Sequence, residues 1–146
     1  MKKGILAFIM FFVMTSASFA DSNVYITQSG AGLDLDITLD GNGNAVGASN
    51  DRTLLTGANL DVDIDLIGAT NTITGDFIGA GESGSDDLKI SQTGSTNTTA
   101  LNVGASAATD DVKIIETRVG SSGATTYIIG SSATVQDVSV TVDVIG

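Results

Sequence analysis

Asp87–Ser106 reads DLKISQTGSTNTTALNVGAS, and it alternates, turns and extends again. Leu88 and Ile90 point one way, Lys89 and Ser91 the other, the period of a strand with one buried face. Gly94 and Asn97 break that alternation. A second extended run, Thr98–Val103, follows and stops at Gly104. A shift of 26 residues puts Gly68, Gly94, Gly120 and Gly146 in one column. An alternating apolar run precedes each glycine: Val62/Ile64/Leu66, Leu88/Ile90, Val112/Ile114 and Val138/Val140/Val142/Val144. One further step, of 27 residues, adds Leu35/Ile37/Leu39 and Gly41. Asn follows the glycine by three places at Asn44, Asn71 and Asn97.

A fixed period of this size marks a stacked-repeat architecture. A lone strand–turn–strand cannot bury its apolar face, whereas coil on coil can, with each backbone paired to the coils above and below. The expected fold is therefore all-β: a solenoid of two-arm coils about 4.8 Å apart. A β-sandwich is the competing arrangement, since many short strands with frequent turns also suit it; a sandwich has no reason to repeat at a fixed interval. The expected interior holds Leu35, Ile37, Leu39, Val62, Ile64, Leu66, Leu88, Ile90, Val112, Ile114, Val138, Val140 and Val142. Asp34, Asp36, Asp61, Asp63 and Lys89 are expected to face out. In the first full unit the return arm is either Ala45–Ser49 or the stretch around Leu54 and Leu55. Thr72–Ile78 and Ala124–Ile129 are the return arms of later units, with loops at Gly79–Asp86, Ala105–Asp110 and Gly130–Gln136. The turns at Gly41, Gly68, Gly94 and Gly120 are read as structural, with Gly and Asn supplying positive φ at low cost at Asp40–Asn44. The asparagines can form an amide ladder along the stack.

Gln92-x-Gly94-x-x-Asn97 resembles the core of the curlin repeat, the strand–turn–strand unit of the curli family of bacterial functional amyloids. Gln28-x-Gly30 echoes its first half. The chain departs from that pattern at Asp86, where curlin repeats usually carry Ser, and at Val103, where they carry Gln. The resemblance implies a secreted, self-assembling fibre subunit, with Gln28, Gln92 and the asparagines as ladder residues. It also implies an outer-membrane exporter and a nucleating partner.

Residues 1–20 read as a bacterial signal peptide. Lys2 and Lys3 form a basic start, Ile5–Val13 an apolar run too short to span a bilayer, and Ser18 and Ala20 a cleavage pattern before Asp21. Residues 21–146 are then one secreted β-repeat domain without a membrane span. With Lys2 and Lys3 removed, 4 basic residues face 17 acidic ones, a net charge of −13. Such a surface repels nucleic acid and anionic membrane. The chain has no Cys, no Pro and no His. Disulfides, thiol chemistry and imidazole bases or ligands are thereby removed. Missing prolines leave strand edges free to pair. Ser and Thr have no evident activating partner, and the carboxylates fall on outward positions, where they are expected to be solvated. No catalytic residue is assigned, and the expectation is that the protein is not an enzyme.

Asp34, Asp61 and Asp87 stack in the repeat register, as do Asp36 and Asp63, and like charges opposite each other destabilise a sheet. Lys113 continues the first row and Lys89 the second. The rows read as a solubilising face; Asp34, Asp36, Asp61 and Asp63 are also weak candidates for Ca²⁺, which takes hard oxygen ligands. No cofactor is otherwise expected. Assembly is expected to be favoured by low pH or a divalent cation.

Both ends of the repeat array look unfinished. Val24 and Ile26 lie on a short strand where the return arm of a preceding coil would run. Val138–Ile145 is a first arm without a return. Subunits joined through these halves would form a head-to-tail homopolymer, a contact that propagates without closing. Gln28-x-Gly30, however, echoes the end of a first arm, and under that assignment the halves do not match. The functional expectation is a structural filament subunit serving adhesion, aggregation or biofilm. The alternative is a monomeric secreted adhesin or calcium-binding β-domain.

Overall fold

The computed structural model describes residues 21–47, 53–79, 86–104, 111–130 and 134–146. The signal-peptide reading of residues 1–20 lies outside them, as do most of the expected loops at 79–86 and 105–110. Among the described residues there are twelve strands and no helix. In order they are β1 (Ser22–Val24), β2 (Thr27–Ser29), β3 (Asp34–Asp40), β4 (Gly43–Val46), β5 (Thr53–Gly57), β6 (Asp61–Ile67), β7 (Thr70–Gly79), β8 (Asp86–Thr93), β9 (Thr96–Val103), β10 (Val112–Val119), β11 (Ser122–Ile129) and β12 (Ser139–Ile145).

The chain winds as a parallel β-solenoid of about four turns with 26-residue spacing. First arms form one sheet in the order β12-β10-β8-β6-β3. Return arms form the other, with β4 and β5 pairing β7, then β9, then β11. Every pairing is parallel and in register: Leu35, Val62, Leu88, Ile114 and Val140 are successive partners along one column. The choice between Ala45–Ser49 and the Leu54 region resolves as both: β4 and β5 are two pieces of one return arm, opposite the single strand β7. Residues 48–52 between them lie outside the described set.

The core sits between the sheets. Val62, Ile64, Leu66, Leu88, Ile90, Val112 and Ile114 are buried, facing Val46, Leu55, Ile73, Phe77, Leu101 and Val103 across the coil. Ile37 is buried; Leu35 and Leu39, on the same end strand β3, are only partly covered. Asp34, Asp36, Asp61 and Lys89 are exposed and Asp63 half-exposed, as the alternation requires. Two expected core residues need correction. Val140 and Val142 are 36% and 40% exposed, and Val138 is half-buried. They do lie on the inward column, but no described return arm faces β12, so the column is uncovered there.

The glycine column also has a different cause from the expected one. Among Gly41, Gly68, Gly94 and Gly120, only Gly120 has a positive φ, at 152°. The shared constraint is stacking distance. A Cβ at Gly68, Gly94 or Gly120 would collide with the carbonyl oxygen of the glycine one coil earlier. Only a residue without a side chain permits the corners to sit at strand spacing.

Candidate functional site

Three features of the solenoid go beyond apolar stacking: an asparagine ladder, a buried acidic cluster and two open ends. The ladder occupies the first inward position of the return arms. Asn44 Nδ2 donates to Asn71 Oδ1 at 3.0 Å, and Asn71 Nδ2 donates to Asn97 Oδ1 at 2.8 Å. The same nitrogens also donate to the carbonyls ending the next first arm: Ile67 at 2.9 Å, Thr93 at 3.0 Å and Val119 at 3.2 Å. All three side chains are buried. Each amide thus ties one coil to the next at a corner where strand pairing has stopped, and buried amides satisfied this way favour one register.

The ladder has a direction and two unlike ends. Every Nδ2 donates toward the C-terminal side. Asn44 Oδ1 is buried and accepts no hydrogen bond among the described residues. After Asn97 the column continues with Gly123, and Arg118 Nη1 donates to the Asn97 carbonyl at 3.4 Å.

Sequence reasoning placed all carboxylates outside, and two are not. Glu116 is fully buried. It occupies the column of Ile64, Ile90 and Val142. Its carboxylate accepts from Thr99 Oγ1 at 2.7 Å, Thr125 Oγ1 at 3.1 Å and Tyr127 Oη at 2.7 Å, and Arg118 Nε stands 3.5 Å away. Burial, and then the hydrogen bond and charge of Glu116, push the Tyr127 hydroxyl far above the usual phenol range. A buried charge is tolerated only when hydrogen-bonded and paired, and this one is both. The repeat register held the signal: Glu116 aligns with isoleucines. Asp86 is the second case. It is buried at a corner and accepts from the Leu60 amide at 2.7 Å. Burial raises its pKa above 3.8 and outweighs the lowering by the Leu60 and Asn59 amides.

Gln92 and Gln28 are not equivalent. Gln92 lies in the first-arm sheet between Leu66 and Arg118, fully buried, with its Nε2 3.4 Å from the Thr98 carbonyl. Gln28 lies in the return-arm sheet, paired with Leu55, and Gly30 follows it with a φ of 142°. The echo of one motif in the other therefore does not reflect a shared place in the coil. The expected acidic rows are present: Asp34, Asp61, Asp87 and Lys113 are successive partners, as are Asp36, Asp63 and Lys89. Lys89 Nζ reaches Asp63 Oδ1 at 3.2 Å and Asp61 Oδ1 at 4.0 Å. The hydrogen bond to Asp63, with the neighbouring carboxylate charges, raises the Lys89 pKa. Among the described residues no three carboxylates converge where a metal ion could be held.

The ends are open. At the N-terminal end β1 pairs β4 and β2 pairs β5, so Val24 and Ile26 belong to the return-arm sheet. At the other end Val144 is 57% exposed beside Val140 and Val142, and β11 and β12 each present an edge that no described strand pairs. Compared with protein-family models, curated proteins and solved structures, the chain matches none.

Proposed function

We propose that this protein is a secreted structural subunit that polymerises head to tail into an extracellular filament serving adhesion, aggregation or a biofilm matrix. One observation carries the reading: among the described residues the solenoid ends in unpaired parallel strand edges with apolar core residues uncovered beside them. Uncovered edges of this kind template further strand pairing, and a solenoid that is to stay monomeric needs polar capping repeats. Neither end has one among the described residues. The glycine column continues the same logic, since it is a column that another coil would extend. The resemblance of Gln92-x-Gly94-x-x-Asn97 to curlin repeats points the same way, and with it come an exporter and a nucleator as partners. The role is structural rather than catalytic: the polar clusters brace coils against each other.

The test is electron microscopy with sedimentation of the protein exported from its full sequence. Unbranched fibrils with a 4.8 Å strand repeat along their axis are expected. A chain that stays monomeric at high concentration over days would remove the reading and favour a monomeric adhesin instead.

A further inference from the structure

We propose that the joint between copies is a composite coil, in which β12 of one copy supplies the first arm and β1 with β2 of the next copy supply the return arm, with Val142 stacked on Ile37. This rests on the filament reading above and specifies its contact residue by residue.

The two halves lie in the correct sheets. β12 continues the first-arm column, and β1 and β2 continue the return-arm column. Stacking one copy on the next at the internal register then sets Ser139–Ile145 against Asp34–Asp40, two strands of 7 residues. Val140, Val142 and Val144 meet Leu35, Ile37 and Leu39 along the inward columns. Across the coil, Val24 and Ile26 of the next copy cover those valines. They also close over Thr125 and Tyr127, which hold Glu116.

Charge selects this register. On the outward face Asp143 meets Thr38, and Ser139 and Thr141 meet Asp34 and Asp36. A shift of two residues either way sets Asp143 against Asp36 or Asp40, and like charges directly opposite are destabilising. A shift of one residue turns every valine to solvent. The internal register is the one that keeps both the apolar columns and the charges matched. On the tail side a hollow is lined by Asn97, Arg118, Gly123 and Val144. Ser22 of the next copy, which pairs with Asn44 in its own chain, falls beside Gly123, in the one step of the ladder column where no side chain stands.

The chain has no Cys, so introduced thiols report the joint directly. Asp36→Cys and Thr141→Cys are placed in one chain, exported, assembled and oxidised. Within a copy the two positions are four strand spacings apart, about 19 Å, beyond the reach of a disulfide. Across the joint they are adjacent partners. A covalent ladder of dimers, trimers and longer species in denaturing gels is expected. Thr141→Cys alone should give none, and Asp40→Cys with Thr141→Cys, about 13 Å apart along the strands, should give little. Thr27→Cys with Ile128→Cys repeats the test on the return arm, should the first pair disturb folding. Filaments that form without a ladder from either matched pair, or that dimerise through Thr141→Cys alone, overturn the composite coil and leave the filament reading standing. An unsubstituted chain that makes no filaments removes both.

Discussion

Asn71→Ala removes the middle rung of the ladder. Asn71 is fully buried and joined on both sides. Its Oδ1 accepts from Asn44, and its Nδ2 donates to Asn97 Oδ1 and the Thr93 carbonyl, at 3.0, 2.8 and 3.0 Å. A neutral hydrogen bond contributes roughly 0.5–1.5 kcal/mol net, and leaving a buried acceptor unpaired costs about 1–3 kcal/mol. Asn97 Oδ1 would be stranded in that way, so the substitution should destabilise by about 3 kcal/mol. Asn44→Ala removes two bonds, to Ile67 and Asn71, and strands Asn71 Oδ1, but the Oδ1 it deletes had no partner among the described residues; a somewhat smaller loss, about 2 kcal/mol, is expected. Thr72→Ala on the outer face of the same arm should stay within about 0.5 kcal/mol. Urea denaturation of dilute, unassembled chain, followed by circular dichroism, measures all three. A loss below about 1 kcal/mol for Asn71→Ala would refute the view that the amides bind coil to coil.

Gly94→Ala should prevent folding of the third coil, because the added methyl meets the Gly68 carbonyl; loss of the strand signal checks this, with Gly32→Ala, where the methyl meets open space and only the positive φ of 73° is strained, as the milder comparison. Tyr127 stays protonated in the folded chain above the phenol range, so Tyr127→Phe should leave the tyrosinate absorbance of the folded protein unchanged near pH ~11. By linkage, Tyr127 contributes stability that is present below about pH 10 and lost as pH rises above it. Asp86 follows the same sign: its folded pKa lies above 3.8, so its contribution is present below that value and lost as pH rises through the raised one. Asp86→Asn should flatten that part of the stability profile, as read by thermal melts across the acidic range. Asp61→Asn takes the middle charge out of the row of Asp34, Asp61 and Asp87 and relieves like-charge stacking, so filament growth at low salt should be faster than for the unsubstituted chain; equal rates would show that the row does not control assembly.

The order of residues was enough to establish the coil. Alternation in Leu60–Ile67 and Asp87–Ser91 sets which side chains share a face, and the recurrence of glycine every 26 residues sets the register in which coils stack, because each corner must be free of a Cβ. The asparagine ladder followed from that register alone, and so did the acidic rows. What the sequence could not supply was the neighbour across the coil. Whether an inward residue is buried depends on the opposite arm, and β12 has none among the described residues, so Val140 and Val142 are inward yet exposed. Glu116 broke the alternation rule because Thr99, Thr125, Tyr127 and Arg118 converge on it from β9, β10 and β11, a meeting that linear spacing does not encode. The two Gln-x-Gly motifs looked alike in the chain, yet they lie in opposite sheets. Strand pairing is local in register but global in partner: the order of residues already set Val24 and Ile26 on a return arm, and the folded stack showed which strands they join, β4 and β5.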